Sequence, residues 1–202
     1  MKLNPNIFRQ YDIRGVADRD LTDEAVDSIG RAFASYLVQI ARVEPSLVVG
    51  RDIRPSSERI FRSLARSFVA SGIHVTDIGI VTTPVSYFAV THFKCSGAVM
   101  ITGSHNPPEY NGLKPVIGNN SVFGTEIQKL RNMIETREFR SGSGSESKAE
   151  IIPHYLNFLK DSFRFKRTLK VVVDSGNGTA GLVAPAALGN LGHDVIELFS
   201  EP

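Results

Sequence analysis

The sequence predicts an α/β protein, a mixed, largely parallel sheet layered by helices. Three observations carry that prediction. Short, wholly apolar runs such as Leu47-Val48-Val49 and Val171-Val172-Val173 are the signature of strands buried on both faces. Stretches with apolar residues at helical spacing lie between such runs, so strand and helix alternate as βαβ units require. Hydrophobic residues make up 42% of the 202 residues and charged ones 22%, a globular balance that excludes a disordered or fibrous chain.

The elements follow in order. Thr22 is placed to cap a first helix, with Asp23 and Glu24 in its first turn and Val26, Ile29, Phe33, Tyr36, Leu37 and Ile40 as its apolar stripe. Residues 47–50 read as a buried strand. The polar loop 51–57 leads into a helix carrying Ile60, Phe61, Leu64, Phe68 and Val69, closed by Gly72. Residues 73–78 form the next strand. Thr83 then caps a helix with Pro84 at its first position and Val85, Phe88 and Ala89 on its apolar side. A third apolar strand spans 97–102, followed by a loop over 103–111, a strand near 113–117 and a helix through Ile127, Leu130, Met133 and Ile134.

Residues 141–148, Ser-Gly-Ser-Gly-Ser-Glu-Ser-Lys, are the most linker-like stretch, because serine–glycine runs are flexible. The expected organisation is therefore a first domain over 1–140, a linker or surface loop over 141–150, and the incomplete start of a second α/β domain over 151–202. That second part reads as a helix through Ile152, Tyr155, Leu156 and Leu159, a strand at 169–173, a glycine loop, a helix over 183–191 and a strand at 194–199. It parallels the unit that starts at Leu47, though any two βαβ units look alike at this level. About fifty residues are too few for a comfortable independent core, so the chain is expected to be the N-terminal piece of something longer.

Charge and cysteine content narrow the function classes. Lys plus Arg total 23 against 21 Asp plus Glu, which lacks the clustered excess of a nucleic-acid or membrane-surface binder. Cys95 is the only cysteine, so an internal disulfide and a multi-cysteine zinc site are both excluded. Residues 1–5 have no apolar core of a signal peptide, and the most apolar region, 78–102, is interrupted by Pro84, His92 and Lys94. The expectation is a cytoplasmic protein that binds neither membrane nor nucleic acid.

The densest chemical signal is Thr102-Gly103-Ser104-His105-Asn106-Pro107-Pro108-Glu109-Tyr110-Asn111-Gly112-Leu113-Lys114. It follows a buried strand, at the end where open α/β sheets place their ligands. The Ser104 hydroxyl could carry a covalent group, and His105 could donate a hydrogen bond or stabilise negative charge. Lys114 could exchange a proton if burial or neighbouring cations ease its release. Taken alone, the same residues also describe a Pro/Gly/Asn-rich turn with incidental polar groups.

The thirteen residues 102–114 resemble the phosphoserine loop of the α-D-phosphohexomutases, the phosphomannomutase/phosphoglucomutase group. Phe8-Arg9-Gln10-Tyr11-Asp12-Ile13-Arg14-Gly15 is similar to that group's N-terminal signature, and Gly50-Arg51-Asp52-Ile53-Arg54 to its second. Val-Val-Val-Asp-Ser-Gly-Asn-Gly-Thr-Ala-Gly at 171–181 resembles the opening of its second domain. Phosphoglucosamine mutases are similar but usually carry Ala where this chain has Gly103.

The resemblance implies reversible phosphoryl transfer. Phosphorylated Ser104 would pass its phosphate to a hexose 1- or 6-phosphate and take the other phosphate back from a bound hexose 1,6-bisphosphate. By motif position Ser104 is the phosphocarrier, with its phosphate a ligand of Mg²⁺. Lys114 is then the general acid/base, His105 and Arg14 stabilise the reacting groups, and Tyr11 is a wall of the substrate site. Without the family, Arg14 reads as a surface cation in a turn. Arg51 and Arg54 either support the phosphate loop or pair with Asp52, while Gly176-Asn177-Gly178 reads as a tight strand-to-helix turn and only a partial nucleotide fingerprint. His74, His193 and Cys95 read as structural. The family's Asp-Gly-Asp-Gly-Asp metal loop and the loops of its later domains do not occur in this sequence. The chain alone is thus expected to hold the phosphocarrier half of a site, with the C-terminal domains of the same enzyme as its missing partner, and to be inactive by itself. Competing readings are a non-catalytic sugar-phosphate-binding module and a serine hydrolase. The hydrolase lacks a Gly-x-Ser-x-Gly elbow and a third triad member.

Overall fold

A computed structural model describes residues 3–202. The expectation that the chain opens without an apolar leader falls partly on residues 1 and 2, outside the described ones. A short 3₁₀ turn, Pro5–Ile7, precedes strand β1, Ile13–Val16, and the one-turn helix α1, Ala17–Asp20. Helix α2, Asp23–Ser35, begins as expected with the Thr22 side chain accepting the Ala25 amide, and continues as a π-helical turn over Tyr36–Ile40. Val26, Ile29, Phe33, Tyr36 and Leu37 are buried; the side chain of Ile40 lies outside the described ones. Strand β2, Ser46–Arg51, helix α3, Pro55–Ala70, and strand β3, His74–Ile80, make the first βαβ unit. Helix α4, Thr83–Phe93, and strand β4, Gly97–Ile101, complete the second. Thr82 and not Thr83 sits at the α4 N-cap position, so Pro84 falls one residue later than expected, still where a missing N–H costs nothing. Strand β5, Tyr110–Ile117, the two-residue strand β6, Asn120–Ser121, and helix α5, Thr125–Thr136, follow.

The main sheet runs β1-β5-β4-β2-β3 and ends on a further edge strand, β7, Ser145–Lys148. The β4, β2, β3 and β7 pairings are parallel, and those of β5 with β1 and β4 antiparallel. Residues on opposite sides of the pleat feed two cores. Leu47, Val49, Val75, Val99, Ile101, Leu113 and Ile13 pack against α2, α3 and α5. Val48, Ala98, Met100 and Val116 pack against Val85, Ala89 and Val90 of α4.

Edge strand β7 corrects the reading of 141–148 as a flexible stretch. Its glycines serve close approach. A Cβ on Gly142 would meet Gly72 Cα at 2.8 Å, and one on Gly144 would collide with the Ile73 backbone. Gly142 and Gly144 donate their amides to Ala70 and Val69, which leads the chain into pairing with β3.

The remaining residues form helix α6, Ile152–Ser162, strand β8, Lys170–Asp174, helix α7, Ala184–Asn190, and strand β9, Asp194–Leu198. Strands β8 and β9 pair in parallel as a separate two-stranded sheet. Helix α6 lies on α4: the Phe88 ring is 5.3 Å from Tyr155 and 5.1 Å from Phe158, and His92 is 4.4 Å from His154. Ile151 and Val183 are buried in the α4-side core, so the second unit shares that core rather than building its own.

Candidate functional site

The loop between β4 and β5 leaves the carboxyl end of β4 beside the carboxyl end of β2. The chain leaves those two adjacent strands in different directions, the arrangement that opens a crevice in a parallel sheet. From β2, Asp52 and Arg54 reach across it. Arg54 donates to four carbonyls of the 104–110 loop, those of Ser104 at 3.0 Å, Asn106 at 2.6 Å, Pro107 at 2.6 Å and Tyr110 at 3.0 Å. Asp52 Oδ2 accepts the Gly103 amide at 3.2 Å and faces Arg54 Nε at 3.3 Å, while its Oδ1 accepts the Arg54 amide and the Ser57 hydroxyl. The two alternatives left open for Arg54 therefore both hold. Arg51 has no part in the loop: it pairs with Asp77 and Glu58 and lies over the Phe61 ring.

Ser104 sits at the tip with φ of 54°, a left-handed conformation that non-glycine residues avoid at a cost of order 1–3 kcal/mol. The Thr102 hydroxyl accepts the Ser104 amide at 3.0 Å, and the Arg54 contact fixes its carbonyl. The exposed hydroxyl hydrogen-bonds His105 Nδ1 at 3.3 Å and no other group among the described residues. The loop is thus a rigid mount that presents one nucleophilic oxygen beside an imidazole. Gly103 is required there: a Cβ would lie 2.5 Å from the Arg54 guanidinium carbon and 2.8 Å from the Tyr110 carbonyl.

The second group of predicted residues hangs from β1 and β5. Arg14 is the register partner of Gly112, and the Gly112 carbonyl accepts the Thr102 amide, so Arg14 lies in one row with the root of the serine loop. A Cβ on Gly112 would stand 2.6 Å from the Ile13 carbonyl, which makes glycine the residue that lets the three strands approach. Lys114, two residues on, projects on the same face of the sheet. Arg14 and Lys114 both bond one carboxylate, that of the buried Asp12, with Lys114 Nζ at 3.2 Å. Arg14 is therefore a half-buried, partnered cation and not a surface turn residue. Tyr11 is 72% exposed and makes no side-chain hydrogen bond among the described residues.

Strand β1 is held by Asp20, whose carboxylate accepts the Val16 amide and bonds Arg19 and Asn4. The Arg19 guanidinium holds this carboxyl well below the usual carboxylate range. Elsewhere, burial and then the Glu126 carboxylate 2.6 Å away push the Tyr36 phenol up to about 12, and burial raises the Cys95 thiol. The latter agrees with a packing role for Cys95. His74 bonds Ser145 across β3 and β7, and His193 accepts the Leu169 amide, both structural positions.

Opposite the serine loop, the turn at 176–179 closes a cleft of about 480 Å³ lined by Ser104, His105, Thr83, Asn177 and Thr179. Gly176 and Asn177 are both left-handed, as a tight turn demands, but the turn also forms the far wall of the cleft. A larger depression of about 590 Å³ at Asp77, Lys148 and Ile151 is lined by Arg51 but by none of Tyr11, Arg14, Ser104, His105 and Lys114. Among the described residues no three His, Cys, Asp or Glu side chains converge as a metal site, and Asp52 is spent on the loop. A hard divalent cation needs several oxygen ligands, so the donors of this chain do not fit Mg²⁺ by themselves.

These features define an α/β/α domain with a serine-tipped loop at the carboxyl edge of its parallel strands. Residues 5–141 match the family model for phosphoglucomutase/phosphomannomutase, alpha/beta/alpha domain I. A phosphomannomutase/phosphoglucomutase of Pseudomonas aeruginosa is 43% identical over 199 residues, which cover 98% of this chain and 42% of that protein. A phosphoglucomutase of Neisseria meningitidis is 40% identical, over 97% of this chain and 43% of its own length. A crystal structure of a phosphoglucomutase/phosphomannomutase family protein from Burkholderia thailandensis superimposes with a TM-score of 0.91 at 37% identity, over 98% of this chain and 45% of that one. The chain belongs to the phosphoglucomutase/phosphomannomutase family, and it spans less than half the length of these relatives.

Proposed function

We propose that this chain is the phosphocarrier part of a hexose-phosphate mutase that interconverts hexose 1-phosphate and hexose 6-phosphate through phosphorylated Ser104. The observation that carries the reading is the mount of Ser104: its amide and carbonyl are both fixed, its backbone is left-handed, and its hydroxyl alone faces the cleft beside His105.

In the forward half-reaction the bond between phosphorus and Ser104 Oγ breaks as a sugar hydroxyl oxygen bonds the phosphorus. The hydroxyl proton passes to the lone pair of Lys114 in its amine form, leaving the ammonium that pairs with Asp12, and the product is the hexose 1,6-bisphosphate. The bisphosphate then presents its other phosphate: the bond from that phosphorus to the sugar oxygen breaks as Ser104 Oγ bonds the phosphorus, and Lys114 returns its proton to the departing sugar oxygen. Such transfers require positioning and charge neutralisation more than covalent chemistry, which suits a fixed serine with His105 beside it; Arg14 and Lys114, which do not line the Ser104 cleft, are assigned to the same reaction by motif position. Tyr11, exposed at the entry to β1, is assigned to the substrate wall. Mg²⁺ would need ligands from beyond this chain, and no step here runs through it. Mannose and glucose phosphates are the substrate class suggested by the names of the relatives. No helix among the described residues is long and apolar enough to cross a membrane.

The reading is tested in the longer protein that carries this sequence. Ser104→Ala should abolish most interconversion while leaving the melting curve unchanged, because a methyl group cannot carry phosphate. Near-normal turnover of that variant with added hexose 1,6-bisphosphate would overturn the phosphoserine. The 202 residues alone should show no appreciable turnover, because the loops of the family's later domains that would take the second end of the bisphosphate do not occur in this sequence; steady conversion by them would contradict this.

A further inference from the structure

The buried carboxylate of Asp12 has no role in the reaction just described, yet it touches both cations assigned to it. Asp12 is 4% exposed, and its backbone carbonyl accepts the Arg9 amide at 3.0 Å, which pins it at the entry to β1. One oxygen, Oδ2, receives Lys114 Nζ at 3.2 Å and also Arg14 Nη2. Two like charges on neighbouring strands repel, and a shared anion between them is what allows both to be held close. The arrangement also leaves something unmet. Arg14 Nε is buried and has no partner among the described residues, a donor left unsatisfied at a cost of ~1–3 kcal/mol. Arg14 is thus held through Nη2 alone, while the fork of a guanidinium is shaped to bind two oxygens of one phosphate.

We propose that Asp12 is a positioning residue: its carboxylate sets Arg14 and Lys114 as a pair and surrenders Arg14 to the phosphate of an incoming phosphate monoester, keeping Lys114 in place. This extends the proposed function and depends on it. Asp12 competes with the ligand for Arg14. Its removal should therefore strengthen phosphate binding and weaken catalysis, two changes that a merely structural residue would not separate.

The 202-residue chain gives the binding arm, with inorganic phosphate as the probe. Asp12→Asn should bind phosphate several-fold more tightly than the parent. Asp18→Asn, which removes an equal charge from a side chain that is 93% exposed, should change binding little. The longer protein gives the kinetic arm. Asp12→Asn should lower kcat by roughly 10²-fold, the scale of a small misplacement of catalytic groups, with KM unchanged or lower, and Asp12→Glu should recover part of the loss. Ser104 should still be found phosphorylated by mass spectrometry, because its loop is anchored by Arg54 and Asp52. Unchanged phosphate affinity together with unchanged kcat overturns the proposal. So does a joint fall of affinity, kcat and melting temperature, which marks Asp12 as structural. An active Ser104→Ala variant would instead remove the phosphoserine reading itself, so the two failures are distinct.

Discussion

The Arg54 guanidinium donates to the carbonyl of Ser104 at 3.0 Å from a position 50 residues earlier in the chain. The same group reaches three more carbonyls of that loop and the Asp52 carboxylate. One side chain at the start of α3 therefore substitutes for the regular backbone pairing that an irregular loop cannot make.

Arg54→Ala should leave those carbonyls without their donor and loosen the loop. The measurement is amide hydrogen exchange of Gly103, Ser104 and Asn106, which should quicken at least ~10-fold, corresponding to ~1.4 kcal/mol of local stability, while amides of β2 and β4 hold their protection. Arg54→Lys should fall between parent and Ala, because an ammonium lacks the planar fork that spans several acceptors. Equal exchange in all three proteins would show that the loop holds its shape without Arg54.

The apolar strands and the amphipathic helices were legible in the sequence because each buries a continuous run or stripe of its own residues. Strand β1 was not, since Ile13-Arg14-Gly15-Val16 carries only a brief alternation and pairs with β5 nearly a hundred residues away. Strand β7 was misread because serine and glycine signal flexibility locally, whereas here glycine answers a close backbone approach at Gly72 and Ile73. The serine loop itself was readable from its motif. Its anchors were only partly so. Asp12 and Asp52 act through partners that the fold brings from 102 and 51 residues away, and no local pattern reports such distances. Gly176-Asn177-Gly178 was readable as a turn, but its place across the cleft from Ser104 depends on how α6 docks on α4.

Gly103→Ala is expected to destabilise the domain by about 1–3 kcal/mol, the range for forcing extra volume into a packed site. The new Cβ would meet the Arg54 guanidinium at 2.5 Å and the Tyr110 carbonyl at 2.8 Å. The backbone at Gly103 does not need a left-handed conformation, so the effect should come from the clash alone. Combining it with Arg54→Ala should then cost less than the sum of the two single losses. Strict additivity in denaturant melts would dissociate Gly103 from Arg54.

Asp20 gives the fold a defined acid sensitivity. Its folded carboxyl titrates below the ordinary value of 3.8 because Arg19 bonds the charged form, helped by Asn4 and the Val16 amide. A lowered folded value means that the stabilisation is complete above the unfolded value and is lost as the pH falls through that value toward the folded one. Asp20→Asn should therefore cost of order 2 kcal/mol at pH 7 and progressively less below about pH 4. Parallel stability curves for parent and variant from pH 7 to pH 2.5 would show that Asp20 contributes no pH-linked stability.

The residue roles at β1 and β5 are separated by exchanging the two cations. Lys114 is proposed to move a proton to and from the sugar hydroxyl, and Arg14 to stabilise charge. Lys114→Arg keeps a positive charge opposite Asp12 but replaces the exchangeable proton with a guanidinium that does not release one in the neutral range. In the longer protein it should lose kcat by the ~10²–10⁴ of general acid–base catalysis, with a smaller change in KM. Arg14→Lys should retain partial activity, because it loses the fork but keeps the charge beside Asp12. Charge alone would make both substitutions mild, so a severe loss confined to Lys114→Arg isolates the proton-transfer role. If Lys114→Arg stays active and only KM rises, Lys114 is a binding cation. The proton must then travel through another group, and His105, 3.3 Å from the Ser104 hydroxyl, is the first to test by substitution with Gln.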